Sequence, residues 1–295
     1  MSASVFHPGE IEAQIRAGGG AEGGGIRDFI SERQRAFFAS LPFIVAASVD
    51  GGGPVATLLA GEAGFVSAPD AHTLRIAAEL DPGDPSRRAF VAGAAAGLLG
   101  IDLAARRRSR ANGVIAEAGQ GGLLLQVLQS FGNCPSYIHA REPVRAPARR
   151  GRPEALPKLD AAAREAIRAA DTFFVASASR ADTSSGGVDV SHRGGPPGFV
   201  GVEGDALVIP DYAGNRYFNT LGNLVADPRA ALLFVDFARG DLLHLQGTTE
   251  IVWHGPQVAA VRGAERIWRL HALRAFRRRG AVPLRWAAPE EAPPR

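Results

Sequence analysis

The chain has 295 residues, of which 46% are hydrophobic and 21% are charged, and its formal net charge is +3. This composition is typical of a soluble globular protein, and the length allows two domains with separate cores. The basic residues are 32 arginines and one lysine, and the small net charge does not predict a nucleic-acid partner. No apolar stretch approaches the roughly 20 residues that span a bilayer, and the amino terminus lacks a signal-peptide core. We therefore predict a cytoplasmic protein without membrane or nucleic-acid partners.

The first part of the chain has the pattern of a helix followed by short strands. Residues 1–25 end in a glycine-rich stretch and are predicted to form a flexible arm. Apolar residues at helical spacing over 26–41 predict an amphipathic helix. The β-prone segments that follow lie at 43–49, 55–60, 73–78, 98–103, 107–117 and 123–129. Together these elements define a first predicted domain, residues 26–140.

The same order of elements starts again after residues 141–156, a segment rich in proline and arginine that we predict to be a linker. The predicted elements of the second domain, 157–255, are a helix at 159–170, strands at 171–179, 188–192, 198–202 and 206–209, a short helix at 215–226, and strands at 230–237 and 242–253. Residues 256–295 are predicted to form a carboxyl-terminal tail with a basic helix at 264–278.

Short sequence matches relate the two parts. Gly64-Phe65-Val66 recurs as Gly198-Phe199-Val200, and residues 98–102 recur at the same spacing as residues 232–236. A period of about 130 residues corresponds to a whole domain rather than to a solenoid unit. We therefore predict an α+β, mainly β chain with two copies of one small antiparallel barrel, which form an intrachain pseudo-dimer. Interfaces of this kind are frequent ligand sites.

The second copy carries the densest group of chemically special residues. The predicted helix at 215–226 and the loop before it present amide, hydroxyl and guanidinium groups: Asn215, Arg216, Asn219, Thr220 and Asn223. Backbone N–H groups at the start of a helix attract an anion, and these side chains would hold a phosphate. The alternative is that Asn215 only caps the helix and that the other side chains face solvent. The matching residues 81–89 of the first copy are rich in proline and aspartate, so the phosphate site is predicted in the second copy.

Three segments of the second copy carry a family resemblance: 198–200, 207–210 and the Asp-Pro-Arg-Ala stretch in 227–234. They resemble the FMN-binding split-barrel superfamily of pyridoxamine 5'-phosphate oxidase-like proteins. Residues 99–108 and 133–138 further resemble the bacterial tandem flavin-nucleotide-binding proteins of that superfamily. The resemblance covers most of the chain between residues 30 and 255. It implies two tandem split β-barrels with FMN bound between them.

The resemblance also implies roles for individual residues. Asn219 and Thr220 stand where oxidases of the family have an Arg-Lys pair for the phosphate, so other arginines would have to supply the charge. Arg107 and Arg108 of the first copy match a pair that reaches the partner's cofactor, whereas the second copy has Asp241 at that position. One FMN site per chain is therefore implied. Its predicted residues are Val190, Ser191, His192, Arg193, Asn215, Arg216, Asn219, Thr220, Asn223, Arg107 and Arg108.

The implied activity is that of an FMN-dependent oxidoreductase, which passes a hydride or electrons between NAD(P)H and a small substrate. A flavin carrier without turnover, or a barrel that binds haem or deazaflavin, are the alternatives. Further pairing of chains into a homodimer is part of the same hypothesis. The histidines show no metal-ligand spacing, and no catalytic acid or base is identified. The single cysteine, Cys134, agrees with a reducing compartment and is predicted to be a small buried residue.

Overall fold

The computed structural model describes residues 4–149, 151–179 and 186–287. Residues 1–3 of the predicted arm, residue 150 of the predicted linker and residues 288–295 of the predicted tail lie outside this description. The helices are α1 (Pro8–Arg16), α2 (Glu32–Ser40), α3 (Ala161–Ala169), α4 (Asn219–Ala226) and α5 (Pro256–Ala259). None of these helices is long and apolar enough to cross a membrane, within the ranges described.

Seven antiparallel strands form the first sheet. They are β1 (Phe43–Asp50), β2 (Gly53–Ala60), β3 (Val66–Ser67), β4 (Thr73–Ile76), β5 (Ala95–Asp102), β6 (Arg107–Gly119) and β7 (Gly122–Gly132). Their spatial order is β2-β1-β5-β6-β7-β4-β3. The β1–β2 hairpin turns at Gly53, whose φ of 121° is readily adopted only by glycine.

The second sheet repeats this arrangement. Its main strands are β10 (Thr172–Ala178), β11 (Val188–Gly194), β12 (Gly201–Glu203), β13 (Ala206–Tyr212), β14 (Arg229–Asp236), β15 (Asp241–Val252) and β16 (Ala264–Arg278). Their order is β11-β10-β14-β15-β16-β13-β12, which is the order of the first sheet with each strand replaced by its later counterpart. The predicted mainly β character and the antiparallel meanders are therefore confirmed.

The predicted closure of each sheet into a barrel is not seen in the described residues, where both strand orders are linear. The reason lies in the terminal strands. β3 has two residues and β12 has three, and each pairs only with the strand that follows it in the chain. Such short strands cannot supply the hydrogen bonds that would join the two edges of a sheet.

The predicted basic helix at 264–278 is wrong, because these residues form the long strand β16. β16 pairs with β15 on one side and with β13 on the other, so it lies inside the second sheet. Within it, Ile267, Trp268 and Leu270 are almost fully buried. Pairing on both edges over much of its length satisfies most of the backbone of this segment, and this tertiary context outweighs the helix preference of its arginines and alanines.

Two segments that we predicted to be unstructured contain regular elements. In the predicted arm, His7 and Glu10 form a capping box at the start of α1, and Pro8 occupies its first turn. In the predicted linker, β8 (Pro143–Arg145) pairs with β17 (Leu284–Trp286), and β9 (Glu154–Leu156) pairs with β16. The partners of both strands are distant in sequence, so local patterns did not reveal them.

An apolar layer lies between the two sheets. In β1, Ile44 and Ala46 belong to the core of the first sheet, whereas Phe43, Val45 and Ala47 belong to the layer shared with the second. Strand β10 alternates in the same way between the core of the second sheet and this shared layer. Burial on both faces explains why β1 and β10 are continuous apolar runs. Each large side chain buried there contributes about 1.5–3 kcal/mol.

Two further features hold the sheets at this close distance. A Cβ atom placed on Gly97 of β5 would lie 2.5 Å from the carbonyl oxygen of Val188 in β11, so the approach requires glycine. On the opposite side of the layer, Nη1 of Arg278 lies 2.7 Å from Oδ2 of Asp84, and both side chains are buried. Thr57 also donates its hydroxyl to this carboxylate. The ion pair therefore links β16 of the second sheet to the first.

The Asp84–Arg278 pair gives a test of this linkage. Arg278→Met would leave a buried carboxylate without its cation, so we expect the free energy of unfolding to fall by about 3–5 kcal/mol. Arg279→Met is the matched control, because the Arg279 side chain is 65% exposed and its ion pair is weak. Urea unfolding of the two variants measures the difference. Equal stability of both variants would show that the pair does not hold the sheets together.

Candidate functional site

A cleft lies where β6 of the first sheet meets β11 and α4 of the second. It has two adjoining parts with cavity volumes of about 60 and 80 Å³. The residues that line both parts are Arg110, Arg193, Tyr212, Gly214 and Asn215. We call this space the inter-sheet cleft.

Two arginines of β6 reach across to the second sheet. Residues 108 and 110 share one face of the strand because side chains alternate. Nη1 of Arg108 lies 2.9 Å from Nδ1 of His192 in β11. Arg110 donates from Nη1 to Oδ1 of Asn219 at 3.3 Å, and it lies 3.6 Å from Oδ1 of Asp189. The structure thus brings the predicted arginine segment of the first copy against the predicted strand and helix of the second.

Arg107 does not take part in these contacts. It lies on the other face of β6, is exposed, and stacks its guanidinium 5.1 Å from the ring centroid of Phe37. Arg110 takes the cross-sheet position, two residues beyond Arg108 on the same face. The alternation of side chains in β6 explains why the adjacent pair 107–108 does not reach the cleft as a unit.

Cations in the cleft are crowded and desolvated. The pKa of Arg108 is lowered to about 10, first by burial and then by the charges of Arg110 and Arg193. Burial also lowers the pKa of Arg110 to about 10, although Asp189 opposes this. The pKa of His192 lies well below its usual value because of burial and because of Arg108 and Arg193. Each charge disfavours the others, so a bound anion would stabilise the whole group.

Several buried N–H groups of the cleft have no hydrogen-bond partner within the described residues. They are Nε of Arg108, Arg110 and Arg193, and Nε2 of His192. Buried polar groups in folded proteins are nearly always paired, because an unmade hydrogen bond costs about 1–3 kcal/mol. These unsatisfied donors therefore fit an anionic or polar ligand in the cleft.

Helix α4 begins later than predicted. It starts at Asn219, and the residue before it, Phe218, has a left-handed φ of 62°. Arg216 is also left-handed, with a φ of 60°, so the chain bends sharply before the helix. No side chain caps α4, which leaves its first N–H groups without the usual capping oxygen. This uncapped end lies at the wall of the cleft, which Asn219 and Thr220 line.

Asn215 is not the helix cap that the alternative interpretation required. It lies four residues before α4, and its Nδ2 donates to Oδ1 of Asn133 at 3.0 Å. Its own Oδ1 accepts from the backbone N–H of Tyr217 at 3.2 Å. Asn215 therefore closes a local turn and connects the loop before α4 to the end of the first sheet.

Most of the other residues that we predicted for the site lie close together, but their polar side chains form hydrogen bonds within the protein. Thr220 and Ser191 share a hydrogen bond of 2.9 Å between their hydroxyls. Nδ2 of Asn223 donates to Oδ2 of Asp189 at 2.8 Å, behind the wall of the cleft. Val190 belongs to the apolar layer between the sheets. These side chains shape the wall, whereas the free donors come from the arginines and His192.

Helix α1 of the predicted arm packs against α4. The contact is very close, because a Cβ atom on Gly222 would lie 2.5 Å from Cα of Glu10. Glu10 accepts a hydrogen bond from Nδ2 of Asn219, and Nε2 of His7 lies 2.9 Å from Oδ1 of Asn223. The arm therefore extends the polar network around α4, and Asn219 connects Glu10 to Arg110 in the cleft.

The carboxyl of Glu10 is buried in this network. Its pKa is raised to about 8, mainly by burial and then by the charge of Asp189, while hydrogen bonds from His7 and Asn219 and the charge of Arg110 oppose the shift. At neutral pH most molecules therefore hold this carboxyl in its protonated form.

A carboxylate and two tyrosines complete the cleft. Asp211 lies 3.3 Å from Nη1 of Arg193 and 2.7 Å from Nη1 of Arg266. Nη2 of Arg266 also pairs with Glu265 at 2.8 Å, so two carboxylates balance these two guanidiniums, and the net positive charge of the cleft comes from Arg108, Arg110 and Arg216. Tyr137 and Tyr212 stack with ring centroids 5.4 Å apart and form a flat wall at the wider end.

Cys134, which we predicted to be buried, is exposed in this part of the cleft. Its Sγ lies 2.8 Å from Oγ of Ser136. The residues around it form an irregular connection after β7, and the sequence motif does not reveal which side of that connection faces solvent.

Sequence analysis missed several residues of the site. Arg266 lies on β16, which was predicted to be a helix outside the second domain. His7 and Glu10 lie in the segment predicted to be a flexible arm. The Pro8-Gly-Glu10 spacing is a helix-start signal that could have identified α1. No local signal identifies the contact between α1 and α4.

A comparison with known protein families agrees with the resemblance that the second part of the chain shows to pyridoxamine 5'-phosphate oxidase-like proteins. Residues 159–292 match the family model described as pyridoxamine 5'-phosphate oxidase, which supports a split-barrel relative of that superfamily. No curated protein matches the chain. Solved structures with similarity include HupZ of Group A Streptococcus, at 14% identity, with 42% of this chain and 98% of that chain covered and a TM-score of 0.34.

Two further solved structures show weak likeness. A FAD-binding protein from Mesorhizobium loti has 10% identity, with 46% of this chain and 99% of that chain covered and a TM-score of 0.28. The K. pneumonia MrkH–c-di-GMP complex has 10% identity, with 86% of this chain and 87% of that chain covered and a TM-score of 0.24. All three TM-scores are below 0.5.

The buried carboxyl of Glu10 predicts how stability depends on pH. A raised pKa means that the folded state prefers the protonated carboxyl, so stability falls as the pH rises from the ordinary value of 4.5 through about 8. We expect this group to lower the free energy of unfolding by on the order of 2–4 kcal/mol between pH 5 and pH 9. Glu10→Gln should remove that part of the pH dependence.

The matched control is Glu12→Gln on the same helix, because the Glu12 side chain is 47% exposed. Urea unfolding over a series of pH values measures all three proteins. A Glu10→Gln profile that runs parallel to the profile of the unmodified chain would contradict the buried, protonated state of Glu10.

Proposed function

We propose that the chain is an FMN-binding oxidoreductase that transfers a hydride or electrons from NAD(P)H to a small substrate. The observation that carries this proposal is the set of buried N–H groups without partners where the two sheets meet. The family match of residues 159–292 supports a flavin as the ligand. The net positive charge of the cleft suits a phosphorylated ligand.

The two sheets would act as tandem split barrels in one intrachain pseudo-dimer. Their identical strand order and the shared apolar layer support this arrangement. One site per chain is proposed, because the two sides of the pseudo-dimer differ. Where the first sheet sends Arg108 and Arg110 into the cleft, the corresponding positions of the second hold Leu242 and His244. The Asp84–Arg278 ion pair lies on that other side.

The residues around the narrow part of the cleft would hold the phosphate. Arg110 and Arg193 supply charge, and the uncapped start of α4 at Asn219 supplies backbone N–H groups. Arg266 lies beyond them and shares the carboxylate of Asp211 with Arg193. This set replaces the charges that are missing at Asn219 and Thr220.

The wider part would hold the ring. Arg108 donates to Nδ1 of His192, so the neutral imidazole carries its hydrogen on Nε2 and presents a donor without a partner. The low pKa of His192 keeps it neutral over the ordinary pH range. When bound, a flavin would accept the hydride of a reduced nicotinamide, which carries both of its electrons, and would pass these two electrons on to the substrate. The protein's part is orientation, exclusion of water and hydrogen bonding to the ring.

An equilibrium titration with FMN, followed by flavin absorbance, tests the proposal. Arg110→Met removes a charged donor from the narrow part, and we expect binding to weaken by about 10- to 100-fold. The combined Asn219→Ala and Thr220→Ala variant disturbs the same wall and should also weaken binding. Arg88→Met, an exposed arginine away from the cleft, is the control. Circular dichroism verifies that each variant is folded.

The outcomes separate the alternatives. A colourless protein that does not bind added FMN would exclude FMN as the cofactor. Absorbance bands of haem or of a deazaflavin in the purified protein would identify that group as the cofactor instead. FMN that binds without any oxidation of NADH or NADPH would favour a flavin carrier. Gel filtration tests the proposed further pairing of chains, and fractionation of cells tests the predicted cytoplasmic location.

A further inference from the structure

A second groove starts where the inter-sheet cleft ends. The two spaces share Arg108 and Asn133 in their walls, and the groove has a cavity volume of about 520 Å³. It lies between β6, the end of β7 and the segment that leads into α2. Among the described residues its walls carry five arginines and no carboxylate: Arg27, Arg33, Arg106, Arg107 and Arg108. We call it the arginine groove.

The charges of the arginine groove are not compensated. None of its arginines belongs to an ion pair in the part of the chain that the structure describes. Elsewhere many arginines are paired, as Arg141 is with Asp171 at 2.6 Å. Like charges that line one concave surface repel one another and concentrate anions from solution. The groove therefore favours a ligand with several negative charges.

Aromatic surface lies beside these charges. The guanidinium of Arg107 stacks over the ring of Phe37, and Phe29 is 37% exposed in the same wall. A base can stack on such surfaces while neighbouring guanidiniums bind phosphate. The combination favours a nucleotide over inorganic phosphate or an acidic peptide.

The wall that carries Arg27 is fixed to the first sheet. Backbone hydrogen bonds join Arg27 to Ser130 of β7 in both directions, at 2.9 and 2.7 Å. Gln34 of α2 also donates to the hydroxyl of Ser109 in β6 at 3.1 Å. The segment before β1 is thus held in place, and the groove is preformed rather than assembled by the ligand.

We propose that the arginine groove binds the phosphorylated adenosine end of the nicotinamide dinucleotide and that it selects NADPH over NADH. This inference rests on the proposed function. NADH carries only its pyrophosphate, with two negative charges, whereas the 2'-phosphate of NADPH adds about 1.5–2 more. Five guanidiniums match the larger charge better. The nicotinamide end would extend past Arg108 and Asn133 towards the inter-sheet cleft.

Isothermal titration of the flavin-free full chain with NADP⁺ and with NAD⁺ tests this without any turnover. We expect NADP⁺ to bind at least about tenfold more tightly than NAD⁺. Arg33→Gln and Arg106→Gln alter exposed groove residues, and each should weaken NADP⁺ binding by about 5- to 20-fold. Arg168→Gln is the control, because Arg168 is an exposed arginine on α3 that lines neither space. Its NADP⁺ affinity should not change.

Equal affinities for NADP⁺ and NAD⁺ would overturn the assignment of the arginine groove. An NADP⁺ affinity that is unchanged in the Arg33→Gln and Arg106→Gln variants would overturn it as well. A short single-stranded oligonucleotide that displaces NADP⁺, and whose own binding is weakened equally by these variants, would also overturn it and indicate nucleic acid as the ligand.

A parallel FMN titration separates the two proposals. If FMN binds but NADP⁺ binds no more tightly than NAD⁺, only the assignment of the arginine groove fails. If NADP⁺ binds selectively and FMN does not bind, the proposed flavin function fails.

Discussion

The apolar layer between β1 and β10 determines how the rest of the molecule is arranged. Both strands bury one face in the core of their own sheet and the other in the shared layer, so the two sheets pack with these apolar faces towards each other. Gly97 then allows β5 to approach β11 closely. Once this contact is made, neighbouring β6 lies against the second sheet, and Arg108 and Arg110 are placed beside His192 and α4. The cleft and its charge follow from an apolar contact some distance away.

The position of these arginines is unfavourable for the protein alone. Burial lowers the pKa of Arg108 and Arg110, and repulsion between guanidiniums adds to the effect. Folding compensates through the apolar layer, whereas the cleft itself contains donors that no protein atom satisfies in the described residues. A site of this kind is less stable without an anion than with one, so ligand binding and stability are coupled. The same coupling extends to α1, since Glu10 and Arg110 share Asn219.

Local sequence patterns predicted the strands well where their apolar residues alternate or run without interruption. The family resemblance implied that Arg107 and Arg108 reach the site of the second copy; Arg108 contacts His192 there, and Arg110 rather than Arg107 contacts Asn219. The sequence did not predict β16, because its identity as a strand depends on β13 and β15, which pair with its two edges. It did not predict the role of Glu10 either, since the pKa of that carboxyl depends on burial against α4. Such features arise from contacts between residues that are distant in sequence.

The shared apolar layer also bears on what the second sheet would do by itself. Separated from the first, it would expose Phe174 and Leu233 to water, and a second copy of the same fragment offers the surface that best covers them. That symmetric assembly would place Leu242 and His244, rather than guanidiniums, opposite each α4. A fragment could therefore recover the packing of the intact chain and still lack the charges of its cleft. Because its two sheets differ in these positions, one polypeptide combines an extensive apolar interface with an asymmetric site.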